Sequence, residues 1–218
     1  MIEIKNLYLK FIREYYALYD VNMIINDGEV VAFVGKEHSG KTTLLRVIAG
    51  LEKFDKGEVY INNRELETVD FSIDVNLGYV PQNPVFLENK SVYENLRYVL
   101  LQRKATKNDI EEKINKALID FNIEKYRNIK IKDLDLYEKY LISFVRLTLR
   151  KLDYLLVDNI FEKLSTDEAG AFVQLIKDLF INKKTTTILV GNTCEQFKDV
   201  CDKCFEFDYG SVKEMVKD

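Results

Sequence analysis

The apolar run at residues 29–35, EVVAFVG, and the KEHSGKTTLLRVIAG that follows it constrain the fold more than any other stretch. A continuous apolar run suits a strand covered on both faces. Gly35-Lys36-Glu37-His38-Ser39-Gly40-Lys41-Thr42 then matches the spacing G-x-x-x-x-G-K-[ST]. Glycines let such a loop curl so that backbone N–H groups point inward at phosphate oxygens, and the helix that follows adds its positive end. Lys41 is expected to reach the β- and γ-phosphates of a nucleotide, and the Thr42 hydroxyl to hold Mg²⁺. A chance match in a chain of 218 residues is on the order of 1%.

The rest of the chain agrees with this start. IEIKNLYLKF alternates like a strand, and ALYDVNMII reads as a second, with NDG turning into the third. GEVYIN and NLGYVPQ are further short strands. From SVYENLRYVL to about Arg150 the pattern turns helical. NDIEEKINKALIDF is expected to begin at an Asn or Asp cap and to place Ile110, Ile114, Ala117, Leu118 and Phe121 on one face. YEKYLISFVRLTLRKL is apolar around much of its circumference and predicts a buried helix. Alternation then resumes with YLLVD, STDEAGAFVQLIKDLF, TTTILVG and CFEFD. This predicts an α/β fold with a mainly parallel sheet, helices on both faces, and a helical insertion.

Composition limits the function classes. The net charge of −4 and pI near 5.3 give no broad basic footprint for nucleic acid. Lys-rich stretches such as KATKNDIEEKINK are interleaved with acidic residues, as on solvated helix faces. No apolar run approaches the roughly 18 residues of a membrane span, and the N-terminus does not read as a secretory leader. Cys194, Cys201 and Cys204 do not make a disulfide framework, so a reducing cytosol is the expected compartment. CDKC lacks the second pair that a zinc site needs, and its cysteines read as buried apolar residues. His38, the single histidine, invites an acid–base role. Loop positions of this kind tolerate many residues, however, and His accepts unusual backbone angles.

Three segments together resemble the ATP-binding subunits of ATP-binding-cassette (ABC) transporters. GEVVAFVGKEHSGKTTLLRVIAGLEKFDKGEVYINN resembles that family's GE…G…GKSTLL…IAGL…GEI…G opening. LGYVPQNPVFLENKSVYENL resembles its glutamine-loop segment, and LLVD stands where the family delivers a metal-binding aspartate. The resemblance covers nearly the whole chain. It implies one nucleotide-binding domain over residues 1–218 with a P-loop NTPase (RecA-like) core at 1–84 and 154–218. It also implies N-terminal antiparallel strands and an inserted helical subdomain at 85–153. The implied ligands are ATP and Mg²⁺. Gly35, Lys36, His38, Ser39, Gly40, Lys41, Thr42 and Thr43 would hold the nucleotide, and Thr42, Gln82 and Asp158 the metal. An aromatic residue would stack on adenine; Phe11, Tyr15 and Tyr16 are candidates, with Phe11 best spaced from Gly35.

Three functional segments depart from the family. Asn159 stands where a glutamate should follow Asp158, and Ile160 where a proline is usual. Gly191-Asn192 replaces the switch Thr-His. The LSGGQ signature falls on Leu134-Asp135-Leu136-Tyr137-Glu138, with Arg146 and Arg150 supporting the register and Ser165 at a later Asp position. An asparagine amide is not a base at neutral pH, and losing a general base costs about 10²–10⁴ in rate. Asp135 and Glu138 would oppose a partner's γ-phosphate, at roughly 3 kcal/mol per pair for a separation of about 5 Å. A symmetric homodimer sandwiching ATP is therefore expected to be unfavourable. Three readings follow. The chain is a weakly hydrolysing regulatory or structural half, paired with a second ABC-type subunit or integral membrane subunits. Alternatively it is an active transport ATPase with unusual residues, or an ATP-regulated soluble module without a transporter. The expected location is the cytoplasm, or the inner face of the cell membrane.

Overall fold

The computed structural model describes residues 1–12, 15–71, 73–101 and 106–215. The chain divides into two units, Met1–Gln82 with Leu152–Asp218, and Asn83–Lys151.

The first unit holds two sheets. The larger is built from β3 (Val30–Val34), β6 (Leu77–Val80), β7 (Tyr154–Val157), β8 (Thr186–Val190), β9 (Lys203–Asp208) and β10 (Ser211–Met215), in the order β10-β9-β3-β8-β7-β6. Every pairing from β9 to β6 is parallel. β3, β7 and β8 are buried at every residue, which is why they read as unbroken apolar runs. β10 adds an antiparallel edge through a two-residue turn at Tyr209 and Gly210, both with positive φ. The sequence reading did not anticipate β10, because SVKEM is charged and mostly exposed, as edge strands are.

The smaller sheet is antiparallel. β1 (Ile2–Ile12), β2 (Tyr15–Ile25), β4 (Lys56–Ile61) and β5 (Arg64–Glu65) lie in the order β2-β1-β4-β5. Ile2, Ile4, Leu7 and Leu9 point inward and join one core with Leu44, Leu45, Val47 and Ile48 of helix α1 (Lys41–Ile48). That core also takes Val31 and Phe33 of β3, so the strand before the phosphate loop and the helix after it are both anchored. Gly50, at φ 69, ends α1 in the left-handed conformation that favours glycine. Helix α5 (Thr166–Leu179) carries Phe172 and Ile176 to the interior.

The second unit contains helices α2 (Val92–Leu101), α3 (Lys107–Asp120) and α4 (Leu136–Thr148) around their own core of Val92, Leu96, Ile110, Ile114, Ile131, Ile142 and Val145. Ile110, Ile114, Ala117 and Leu118 are buried, as the periodicity of α3 predicts. Its cap is Thr106 rather than Asn108 or Asp109. The Thr106 hydroxyl accepts from the Asp109 backbone N–H at 3.2 Å, and the Asp109 carboxylate accepts from the Thr106 N–H at 3.3 Å. Asp109 is thus the reciprocal partner in a capping box and not the cap.

Candidate nucleotide site

The loop from Gly35 to Gly40 leaves the end of β3 and feeds α1. Gly35 has φ 134 and Gly40 φ 109. A Cβ at Gly35 would collide with the Phe207 carbonyl, and one at Gly40 with the Ala17 carbonyl. Both positions therefore need glycine for conformation and for close approach. His38 adopts φ 60, the left-handed backbone that the sequence reading allowed it. The loop is tied to its surroundings by Gly35 N–H to Asn192 O at 3.3 Å and Gly210 N–H to Ser39 O at 3.0 Å.

Lys41 folds back across this loop. Its Nζ donates to Gly35 O and Lys36 O, both at 2.6 Å, and to Ser39 Oγ at 3.3 Å. Burial lowers its pKa, against the opposing pull of Glu162, Asp158 and Glu37. A poorly hydrated ammonium held by neutral acceptors is ready to exchange them for phosphate oxygens, which bind it with charge assistance.

β7 delivers Asp158 to the N-terminus of α1. The Asp158 backbone N–H donates to Val80 O at 2.9 Å, and the residue is 2% exposed. Thr42 Oγ1 donates to Asp158 Oδ1 and the Tyr79 hydroxyl to Oδ2, each at 2.8 Å. Burial raises the Asp158 pKa, while the Thr42 and Tyr79 bonds, Arg46 and Lys41 pull it down. Burial and the same carboxylate hold the Tyr79 hydroxyl protonated well above its ordinary range. Tyr79 escaped the sequence reading because its role depends on β6 pairing beside β7 in the right register, which LGYV does not announce. Thr42 and Asp158 place hard oxygen donors together, and Gln82 lines the same cavity as Thr42. This donor set fits Mg²⁺, which takes one or two protein ligands plus phosphate oxygens. Thr42, Gln82 and Asp158 would hold the metal, which would supply neutralising charge to the phosphates.

Two cavities flank the loop. One, of about 650 Å³, is lined by Phe11, Tyr15, His38, Ser39, Gly40, Lys41, Thr42, Thr43, Gln82 and Asn159. The other, of about 680 Å³, is lined by Gly35, Lys36, Glu37, Glu162, Asn192 and the segment from Glu206 to Asp208. Phe11 is 60% exposed and Tyr15 45%, so both present aromatic faces at the first cavity. Tyr16 instead packs edge-on against Tyr8 and Tyr19 at 6.0 and 5.1 Å.

The departures from the family pattern have definite surroundings. Asn159 sits at φ 49, ψ 36, where asparagine is tolerated better than most residues. Its Nδ2 donates to Glu162, and its Oδ1 is buried without a partner. Glu162 lies in the turn Ile160–Lys163 and was not singled out from sequence; its signal is the three-residue spacing from Asn159, which one helical turn closes. Asn192 joins the loop through its backbone carbonyl, while its N–H donates to Gln196 Oε1 at 2.9 Å. Ser165 caps α5 in a box with Glu168. Within the second unit, Asp135 caps α4. Its carboxylate accepts from the Glu138 N–H at 2.8 Å, and the Glu138 carboxylate accepts from the Asp135 N–H at 3.0 Å. This helix N-terminus therefore already carries its own anions.

The cysteines correct one expectation. Cys194 and Cys204, ten residues apart in sequence, have Cα atoms 6.2 Å apart and are paired as a disulfide. The pairing joins the turn after β8 to β9, a contact made by the fold and not by CxxC spacing. Cys201 is buried, as expected of an apolar cysteine, whereas the equally buried Cys204 is spent in the disulfide.

A parallel sheet, a glycine-bounded phosphate loop opening a helix, and a buried aspartate meeting that helix's threonine define a P-loop nucleotide-binding protein. The ABC transporter family model matches residues 18–162, and the chain belongs to that family. It is 30% identical to the sulfate/thiosulfate import ATP-binding protein of Mesostigma viride, over 99% of this chain and 62% of that protein. It is 28% identical to the methionine import ATP-binding protein of Clostridioides difficile, over 99% of this chain and 68% of that one. The chain thus spans about three-fifths of the length of the first of these relatives. Its fold matches a dimeric post-hydrolysis state of an ATP-binding cassette bound to ADP and phosphate, with a TM-score of 0.84 and 22% identity over 100% of both chains. Among the described residues no helix is long and apolar enough to cross a membrane.

Proposed function

We propose that this chain is an ATP-binding subunit of an ABC import system that holds Mg-ATP and hydrolyses it slowly on its own. The observation that carries this reading is the contrast at one site between a complete phosphate loop and Asn159, which follows Asp158 with an amide in place of a carboxylate. Its relatives' names supply the transport context and the expectation of membrane partners. Such a subunit works peripherally at the cytoplasmic face of a membrane, as a regulatory or structural half. The test is Mg-ATP affinity by calorimetry together with Lys41-dependent turnover on the same sample. Tight binding with turnover at least about 10²-fold below that of an import ATPase bearing the glutamate is the expected result.

The partner is more favourably a different ABC-type subunit than a second copy. Asp135 and Glu138 already close the N-terminus of α4 and bring negative charge to it. The dimeric solved relative makes the counter-test direct. Sedimentation with ATP should show this chain monomeric, and the D135S/E138Q variant, which keeps a capping hydroxyl, should shift toward dimer by about tenfold in affinity, or 1.4 kcal/mol. A wild-type ATP-dependent homodimer removes this part of the proposal.

A second reading, an active ATPase motor, has one specific observation in its favour: a carboxylate, Glu162, stands beside Asn159.

A further inference from the structure

We propose that Glu162 is the carboxylate that takes the proton from the attacking water in whatever hydrolysis this chain performs, with Asn159 as its positioning residue. The inference rests on the reading of the site as an ATP-binding cassette.

The left-handed backbone at Asn159 turns the chain directly after Asp158, and the short helical turn Ile160–Lys163 brings Glu162 back toward the strand end. The Asn159 amide then donates to the Glu162 carboxylate. An ionised carboxylate offers about four acceptor sites, so one bond from an amide leaves it free to accept from water. Glu162 lines the cavity shared with Gly35 and Lys36 of the phosphate loop and Asn192 of the switch position. It is half-buried, and so is not a solvated surface charge. Among the carboxylates acting on the Lys41 ammonium, its influence is the foremost, ahead of Asp158 and Glu37. The Asn159 side chain makes no cap bond to the backbone of this turn, and its amide is directed to the Glu162 carboxylate instead. The carboxylate lost at position 159 is thus matched by one three residues later that Asn159 itself holds.

In the step, the water oxygen bonds to the γ-phosphorus as the bond from that phosphorus to the β,γ-bridging oxygen breaks. The electron pair of the broken bond leaves on ADP. The water proton passes to Glu162 and from there to solvent, giving ADP, inorganic phosphate and one proton.

The experiment is single-turnover hydrolysis of labelled ATP with the purified chain in excess, each rate normalised to the fraction of protein that binds Mg-ATP by calorimetry. K41A defines the background. E162Q is expected to bind Mg-ATP within about twofold of wild type and to lose about 10²-fold in rate, the lower end of a general base's contribution. E162D should retain part of the rate. N159E/E162Q, which moves the carboxylate back by three residues, should recover at least about tenfold over E162Q. An E162Q rate within about threefold of wild type overturns the proposal, as does failure of N159E/E162Q to recover. A wild type with no Lys41-dependent turnover also overturns it, while leaving the ATP-holding reading intact. A fast wild-type rate abolished in E162Q supports Glu162 and removes the slow-hydrolysis reading instead. Absence of Mg-ATP binding by the wild type overturns both.

Discussion

The phosphate loop and the turn after β7 emerge from strands separated only by β8 in one sheet, yet they obey different rules. In the loop every position with a strict physical demand has the residue that meets it. Glycine stands where φ is positive and a Cβ would collide, a lysine where an ammonium is needed, and a threonine where a hydroxyl faces Asp158. In the turn, Asp158 sets a hard oxygen donor beside Thr42, but the next residue meets a different demand. Asn159 suits the left-handed backbone and anchors Glu162, and it is no base. Holding a nucleotide and cleaving it are separable tasks, and the proposed function assigns them to different parts of this site. The loop contributes to ground-state binding, whereas a base matters only to the transition state.

The largest effect should come from breaking the loop. Replacing Lys41 with Ala removes a charge that two phosphates would share, each charge-assisted bond being worth about 1.5–3 kcal/mol. Mg-ATP affinity by calorimetry should fall by about 10²–10⁴-fold, since each 1.4 kcal/mol is tenfold. Retained affinity would mean that nucleotide binds elsewhere. The turn should respond in the opposite sense. Asn159→Glu restores the carboxylate, so single-turnover hydrolysis should rise by about 10²-fold with affinity nearly unchanged. The same change should cost about 1 kcal/mol of stability by chemical denaturation, because glutamate fits the left-handed region less well than asparagine. An unchanged rate would show that the residue at position 159 does not limit hydrolysis.

What could be read from the chain in advance follows the range of the interactions involved. The parallel core was legible because buried strands must be apolar, and VVAFV, YLLV and TTILV are bounded and continuous. The loop was legible because its chemistry is local, with strand, glycines, lysine and threonine inside one short segment. The cap of α3 was misplaced by two or three residues because Thr106, Asn108 and Asp109 are all plausible caps, and only geometry separates cap from reciprocal partner. Tyr79, Glu162 and the Cys194–Cys204 pairing were not legible. Tyr79 meets Asp158 only when β6 and β7 are in register. Glu162 depends on a left-handed residue that curls the turn. The cysteines depend on β9 lying beside β3 and the turn after β8. The departures at 159 and 192 were visible as letters, but their surroundings had to be seen.

The smallest effect, and the one that joins the two regions, concerns Asp158. Its carboxylate is buried, and its folded-state pKa lies above the ordinary value of 3.8. In the window above that value the native state binds more protons than the unfolded chain. The contribution of Asp158 to stability is therefore fully present below about pH 3.8 and declines as pH rises through the folded-state pKa. At neutral pH the ionised group costs the nucleotide-free protein stability, offset in part by the bonds from Thr42 and Tyr79. Asp158→Asn should then raise the unfolding midpoint of the nucleotide-free chain by roughly 2–4 °C, about 1 kcal/mol for a domain of this size. It should also flatten the fall in stability that the wild type shows as pH rises above about 3.8. Adding Mg-ATP should reverse the order, since ligand binding stabilises the wild type in proportion to its affinity and the variant lacks the carboxylate that the metal needs. A variant less stable than wild type without nucleotide would show that the Thr42 and Tyr79 bonds outweigh the cost of burying the charge. The aspartate would then be a structural post between loop and turn, and not a strained group held ready for metal.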